Sequence, residues 1–394
     1  MNYDMIYSFC AATKILHGFN TIFQVGKEAK KLSIKKALVV TDQGVKAAGL
    51  AQNALKSLQS EGIASVVFDE VEVDPGTKTV QRGVELLRSE GCNGVIVVGG
   101  GSPMCAGKGI GLVATNGGSI ADYEGAEKYT MAPLPVIGIP TTAGAGSEVS
   151  PTFVITDEKR NYKMAIRGDT CHPKVAILDP VLLLNIPYWP GINAGMDALA
   201  HAIGACCTTE ATPITDSLAI AAFAMMMKHL VPSVLTNDLE AKNQQILASA
   251  MAMMACGSAK LDLIHAMSQP LGRYHMPHGL ANGILIPYVM EYNLAACKDK
   301  FAQMAIAIGE GSYRMSESEL AERTIGRIKS LFIEAGFPAK LPADVVDKKD
   351  IPTLAKIAVE RPNAKSNKRK TSEKELIEIY HKALEGWDES RKHA

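Results

Sequence analysis

The chain has no surplus of charge of either sign. Its 41 Lys and Arg are matched by 41 Asp and Glu, for a formal net charge of zero. Neutralising a phosphate backbone takes a basic surplus, and an acidic disordered chain carries the opposite one, so neither a nucleic-acid binder nor a disordered protein is expected. There is also no unbroken apolar run of the roughly 18 to 20 residues that a membrane-spanning helix needs. The strongest candidate, Leu218–Met227, meets Lys228 and reads as a buried core helix. Eight cysteines include no C-x-x-C pair and no framework spacing, which argues against a disulfide scaffold and for reduced thiols. Met1–Phe19 carries Asp4 and lacks a basic leading segment, so no secretory leader is predicted and the cytoplasm is the expected compartment. Internal repeats, low-complexity tracts and the G-x-G-x-x-G fingerprint are missing too.

What is present suits an ordinary globular protein of two domains: 394 residues, 47% of them hydrophobic, with a mean hydropathy of +0.06. Short apolar runs at Lys36–Thr41, Ala64–Phe68, Gly94–Val98 and Pro135–Ile139 read as buried strands. Amphipathic stretches at Gly44–Glu61, Thr77–Glu90 and Pro103–Leu112 read as the helices between them. That alternation predicts a Rossmann-like parallel α/β sheet. After Leu178-Asp179-Pro180 the Val/Ile runs fade. Ala, Met and Leu dominate, as in Asp216–Leu230 and Gln244–Met254, and Lys374–Glu389 has the pattern of a last amphipathic helix. The expected division is an α/β domain over 1–185 and an all-α domain over 186–394.

Three loops follow predicted strands. Gly99-Gly100-Gly101-Ser102 lies between a strand and a helix, where glycines let backbone N–H groups approach an anion and the helix dipole favours negative charge. Asp42, at the end of the first strand, fits either a helix N-cap or a carboxylate for a ribose 2′-hydroxyl. Pro140–Glu148 offers Thr141, Thr142 and Ser147 beside two glycines and fits either a plain loop or a ligand clamp. In the second half, Asp197 and His201 stand at i, i+4 on one helix face among apolar residues, with His265 and His278 further on. Each histidine alone fits a satisfied core position. Taken together, three His and one Asp suit a divalent metal.

These pieces, in this order, resemble the iron-dependent (group III) alcohol dehydrogenase family, in its lactaldehyde reductase and 1,3-propanediol dehydrogenase branch. The resemblance is carried by GGGSP (99–103) with Lys108, IPTTAGAGSEVS (139–150), VITDE (154–158) with Lys163, ILDP (177–180), GMDALAHAI (195–203), PITDSLA (213–219), IHAMSQPLG (264–272) and PHGLANGILIPYVMEYN (277–293). It implies the dehydroquinate synthase-like fold of that family. The implied metal ligands are Asp197, His201, His265 and His278, holding Fe²⁺ before Zn²⁺. Gly99, Gly100, Gly101 and Ser102 would hold a pyrophosphate and Asp42 the adenine ribose, favouring NAD(H) over NADP(H). Thr141, Thr142 and Ser147 would line the nicotinamide, with Lys163 near its ribose and Leu182 packed on the cofactor. The implied reaction is hydride transfer between the nicotinamide and a short aldehyde polarised by the metal, in a homodimer or larger homo-oligomer.

Departures from the family pattern cluster around the presumed site. Gln269 stands where a second histidine is usual, so a proton relay there is lost and His275 in the same loop is the substitute considered. Cys105 replaces an Asp, Gly204 a common Glu, Cys256 a pocket aromatic, and Lys260 and Asp262 two glycines. Arg273 replaces a small residue. The segment from Arg361 to Lys370 holds five basic residues and no acidic one. Lys260, Arg273 and Arg361 together suggest an alternative substrate, a short anionic aldehyde such as sulfoacetaldehyde (reduced to isethionate) or a carboxylic semialdehyde. Dehydroquinate synthases and glycerol dehydrogenases share the broad architecture, and a binding protein without activity is the non-enzymatic alternative.

Overall fold

The computed structural model describes residues 6–160 and 162–387. Its contacts divide them into two units: residues 11–186, and residues 187–387 together with 6–10. The first unit contains β1 (Lys14–His17), α1 (Val25–Lys31), β2 (Lys36–Val40), α2 (Gln43–Ala47), α3 (Ala51–Ser60), β3 (Ala64–Phe68), α4 (Thr77–Ser89), β4 (Gly94–Gly99) and α5 (Gly101–Asn116). It continues with β5 (Gly125–Ala126), β6 (Val136–Pro140), β7 (Thr152–Asp157), β8 (Tyr162–Arg167) and β9 (Val175–Leu178). Six strands form one sheet in the order β1-β9-β6-β4-β2-β3, and every neighbouring pair in it is parallel.

The continuous apolar runs follow from burial on both sheet faces. Alternate residues serve opposite cores. Leu38, Val40, Val95 and Val97 pack with Val80 and Val84 of α4 and with Met104 and Ile110 of α5. Ala37, Val39, Ile96, Val98, Ile137 and Ile139 pack with Val25 and Ala29 of α1 and with Ala54 and Leu58 of α3. From β2 the chain moves outward to β3 and then back across to β4, so the strand order reverses between β2 and β4. The crevice at the carboxyl ends of strands on either side of such a reversal is where open α/β sheets take ligands.

The second unit is helical among the described residues: α6 (Tyr188–Cys206), α7 (Pro213–Leu235), α8 (Leu239–Ala259), α9 (Leu263–Ser268), α10 (His278–Ala307), α11 (Glu317–Ala335), α12 (Ile351–Glu360), α13 (Pro362–Ser366) and α14 (Glu373–Glu385). Capping boxes start α7 (Thr212, Thr215), α11 (Ser316, Glu319) and α14 (Ser372, Glu375). By length and composition α7 could cross a membrane; here Ala219, Phe223, Met226 and Leu230 are buried in the helical core.

Several local expectations are corrected. The stretch Gly44–Glu61 is two helices, because Gly49 adopts φ +71° after Ala48 and breaks the ladder. The helix containing Leu218–Met227 runs past exposed Lys228 to Leu235. Residues 6–10 group with the helical unit, not the α/β one. Strands β1, β5, β7, β8 and β9 were not expected. The antiparallel pair β7–β8 has alternating burial on each strand, a period-2 pattern with too few β-branched residues in YKMAIR to stand out. Residues 388 and 389 of the last expected helix lie outside the described residues.

One buried carboxylate ties the N-terminal turn to the end of β9. Asp179 is fully buried and accepts backbone hydrogen bonds from Asn20 (3.0 Å), Ile22 (3.0 Å) and Val181 (3.1 Å). Replacing it by Ala strands the buried Ile22 N–H, at about 1–3 kcal/mol for an unsatisfied group, and frees two part-buried donors at Asn20 and Val181. Asp179→Ala is therefore expected to lower stability by about 1–3 kcal/mol, read as a shift in the denaturation midpoint, with Asp179→Asn intermediate.

Candidate metal centre and nucleotide-binding edge

Helix α6 presents Asp197 and His201 one turn apart, α9 presents His265, and α10 begins at His278. Ligand atoms of Asp197, His201 and His265 lie within 4.8 Å of one another, and all three residues are buried. The rings of His201 and His265 stack at 4.8 Å, and the His278 ring lies 5.7 Å from that of His265. Gly279 permits the approach of α10 to α6: a Cβ there would come within 2.0 Å of the Asn193 carbonyl oxygen. The His278 side chain is 47% exposed, so the cluster opens to solvent on that side.

The spacing has a consequence. Asp197 Oδ1 is 3.8 Å from His265 Nε2 and 3.7 Å from His278 Nε2, too long for hydrogen bonds. Two ligands about 2.1 Å from one tetrahedral ion stand roughly 3.4 Å apart, close to these values. Both ring nitrogens of His265 are buried without a hydrogen-bond partner. Burial opposes the charge of Asp197, but His201, His278 and His265 together hold its carboxyl far below the usual carboxylate range. Burial likewise opposes a charged His265, and Asp197 and Asp262 overcome it, raising that ring to about 9. A carboxylate kept ionised among convergent imidazoles is a donor set suited to a divalent cation, and the residues fit one.

Asn282, one turn after His278, was not singled out from sequence. Its Nδ2 donates to Asp197 Oδ1 (2.6 Å) and lies 3.0 Å from His278 Nε2. The i, i+4 spacing from His278 was the available signal.

In the α/β unit, Asp42, Gly99–Ser102 and Thr141, Thr142 and Ser147 lie at the carboxyl ends of β2, β4 and β6, while Lys163 and Leu182 lie on other elements. A shallow depression is lined by Gly99, Gly100, Gly101, Thr142, Gly146, Ser147 and Glu148 among others, so two separately noted loops stand side by side. A Cβ at Gly100 would sit 3.2 Å from Thr142 Oγ1. No side chain caps α5, which leaves its first N–H groups facing the loop. Thr141 is buried, its N–H bonded to Gly99 O (3.2 Å), and the Ser147 hydroxyl is buried without a hydrogen-bond partner. Asp42 is an N-cap, with Oδ1 accepting from Val45 N (2.8 Å), which occupies one carboxylate oxygen. Lys163 lies exposed on β8 and pairs with Asp74 (2.8 Å), whose N–H in turn donates to Ser102 Oγ (3.3 Å). Leu182 is buried in the core beneath the sheet with Ile96, Val98 and Ile139.

Two buried ionisable groups support this edge. Lys108 donates to the carbonyls of Ser150 (2.9 Å) and Thr152 (3.1 Å), and burial pushes its ammonium down to about 8. Burial raises the Glu148 carboxyl to about 7, which reduces negative charge where an anion would approach.

The remaining expected residues are dispersed over several elements. Cys256 is buried on α8 with its thiol toward Met253 O (3.6 Å). Lys260 ends α8 at φ +67° and pairs with Glu210 (3.0 Å). Arg273 lies over the Tyr274 ring (5.8 Å), and Arg361 stands at the N-cap of α13. Within the basic run, Arg369 stacks on Tyr292 (3.8 Å) and bonds Glu375 (3.3 Å). Gln269 is exposed where α9 ends, and His275 is exposed at φ +55° after the turn Gln269–Tyr274.

Comparison with known proteins identifies the family. The family model described as iron-containing alcohol dehydrogenase matches residues 12–180, and that for the C-terminal part of the Fe-containing alcohol dehydrogenase family matches residues 191–384. The 1,3-propanediol dehydrogenase of Citrobacter freundii is 40% identical over 388 residues, covering 98% of this chain and 100% of its own. The NAD-dependent methanol dehydrogenase of Bacillus methanolicus is 36% identical over 369 residues, 93% of this chain and 97% of its own. A crystal structure of 1,3-propanediol oxidoreductase superposes with a TM-score of 0.94 at 37% identity, covering 96% of this chain and 100% of that one. The chain belongs to the iron-containing alcohol dehydrogenase family.

Proposed function

We propose that this protein interconverts a short-chain primary alcohol and its aldehyde, using NAD(H) and one divalent metal, with Fe²⁺ preferred to Zn²⁺. The observation that carries the reading is the buried cluster of Asp197, His201 and His265, whose ligand atoms lie within 4.8 Å of one another, with His278 Nε2 3.7 Å from Asp197 on its open side. When bound, the cation supplies Lewis acidity toward a carbonyl oxygen, and the nicotinamide supplies or accepts the hydride. The chain's own residues do the rest. The backbone at Gly99–Ser102 and the N-terminus of α5 hold the pyrophosphate. Asp42 retains a carboxylate oxygen for a ribose 2′-hydroxyl and repels a 2′-phosphate. Thr141, Thr142 and Ser147 line the nicotinamide side, Lys163 approaches its ribose, and buried Leu182 supports the cofactor from below. Gln269 exchanges no proton near neutrality, so His275, exposed at the end of the adjoining turn, carries it to solvent.

A neutral substrate is favoured over an anionic one. Lys260, one of the three basic residues behind the anionic-aldehyde alternative, is paired with Glu210, and Arg369 in the basic run after Arg361 with Glu375. The similarity to propanediol and methanol dehydrogenases points the same way. We also infer a cytoplasmic enzyme with reduced thiols, and self-association as a homodimer or larger assembly, since β1 is an edge strand of the six-stranded sheet among the described residues.

Three outcomes test these assignments. NADH oxidation with propionaldehyde is expected to vanish on chelation and return on adding Fe²⁺ or Zn²⁺, and His201→Ala is expected to lose roughly two orders of magnitude in metal affinity or more. Because His265 binds a proton up to about pH 9 in the metal-free protein, Zn²⁺ uptake at pH 7.5 should release close to one proton and at pH 10 almost none, measured calorimetrically in buffers of different ionisation enthalpy. In substrate assays, kcat/KM for propionaldehyde should exceed that for sulfoacetaldehyde. A reversed order that collapses in Arg273→Ala would restore the anionic alternative.

A further inference from the structure

We infer that Asp262 is a positioning residue for the metal ligand His265, and that the absence of a side chain at Gly204 is what admits it. This rests on the metal-centre reading above and assigns a role within it.

Asp262 is the N-cap of α9. Its Oδ1 accepts the Ile264 N–H (3.1 Å), which by itself would explain an aspartate. Capping accounts for only part of what is seen. The residue is fully buried, and its Oδ2 is buried without a hydrogen-bond partner. A carboxylate removed from water with half its acceptors unused carries a large desolvation cost unless a cation or strong donor faces it. Among the described residues, its ion-pair partner is His265, whose Nδ1 lies 3.7 Å from Asp262 Oδ1. That nitrogen is itself buried without a hydrogen-bond partner.

The ring therefore stands between two carboxylates. Nε2 faces Asp197 at 3.8 Å and Nδ1 faces Asp262 at 3.7 Å. A neutral imidazole carries one proton. If Nε2 donates its lone pair to a metal, the proton sits on Nδ1 and points at Asp262. Closing the remaining gap takes a small ring rotation and gives the unpartnered Nδ1 a carboxylate acceptor. A carboxylate behind a ligand histidine fixes the tautomer and raises the basicity of the ligating nitrogen.

The second half of the inference comes from α6. A Cβ at position 204 would lie 2.7 Å from Asp262 Oδ1 and 2.9 Å from its Cγ, so any side chain there would displace the carboxylate. In sequence, Gly204 and Asp262 were two separate departures, a glycine where glutamate is common and an aspartate where glycine is common. In space they are neighbours. The Asp262 carboxylate, at the start of α9, fills the space beside α6 that a side chain at position 204 would take, behind His265.

The test uses Asp262→Ser and Asp262→Asn, which both retain an N-cap side chain. Each protein is loaded with Co²⁺, and loss of the cobalt absorption is followed after adding excess chelator. Unfolding midpoints of the metal-free proteins are measured alongside. Serine cannot reach His265, so Co²⁺ should leave roughly 10- to 100-fold faster than from wild type, with asparagine intermediate and with an altered cobalt spectrum. A purely structural cap would change the midpoint and leave both the off-rate and the spectrum unchanged, and that result overturns the proposal. If Asp262→Ser does not fold, Asp262→Asn decides by the same criterion. A wild-type chain that takes up no Co²⁺, Fe²⁺ or Zn²⁺ would remove the metal centre itself, a failure distinguishable from equal off-rates.

Discussion

An ionised carboxylate inside an apolar helical core is the constraint on which the second unit turns. Asp197 is 7% exposed in a helix whose neighbouring positions are Met196, Ala198, Leu199 and Ala200, all fully buried. Such a group persists only if positive charge or strong donors converge on it. Three imidazoles do so, and they come from three helices, so α6, α9 and α10 must be packed in register for the charge to be tolerated. Gly279 lets the start of α10 come against α6, and Asn282 then reaches both Asp197 and His278. With Asp262 behind His265, two buried carboxylates flank one ring, an arrangement whose charge a divalent cation balances.

The α/β unit is governed by a different requirement. A parallel sheet covered on both faces can bind a ligand only at its ends, and the reversal of strand order between β2 and β4 opens one of them. The residues at that edge are small or hydroxylated, and the charged groups nearby are moderated. Lys108 spends its ammonium on two backbone carbonyls, and Glu148 is raised toward neutrality by burial. The outcome is an edge where α5 begins without a side-chain cap and competing negative charge is low.

Legibility in the sequence varied with the range of the interaction. Strands buried on both faces announced themselves as apolar runs, and Ala64–Phe68 has the expected limits. The pair β7–β8 did not, because half of each strand faces solvent and the alternation is short. Gly49 was visible as a residue, but its left-handed conformation, which divides one expected helix into two, was not. The four candidate metal ligands were readable because Asp197 and His201 share a helix face, a local relation. Asn282, Asp74 and Asp262 were passed over as site residues. Their roles depend on partners 85, 28 and 58 positions away, at Asp197, Ser102 and Gly204.

Lys260, Arg273 and the basic run after Arg361 show the same limit from the other side. As a string they suggest one cationic mouth. In space Lys260 meets Glu210, Arg273 lies over Tyr274 and Arg369 is held by Tyr292 and Glu375. The sequence by itself determined the fold class, the family and the chemical types at both sites, since these rest on periodicity, local spacing and ordered motifs. Only the tertiary structure decided which charges are neutralised, which buried atoms lack partners, and that Gly204 and Asp262 are neighbours. Those are properties of pairs brought together by packing, and no local pattern encodes a distance between residues far apart in the chain.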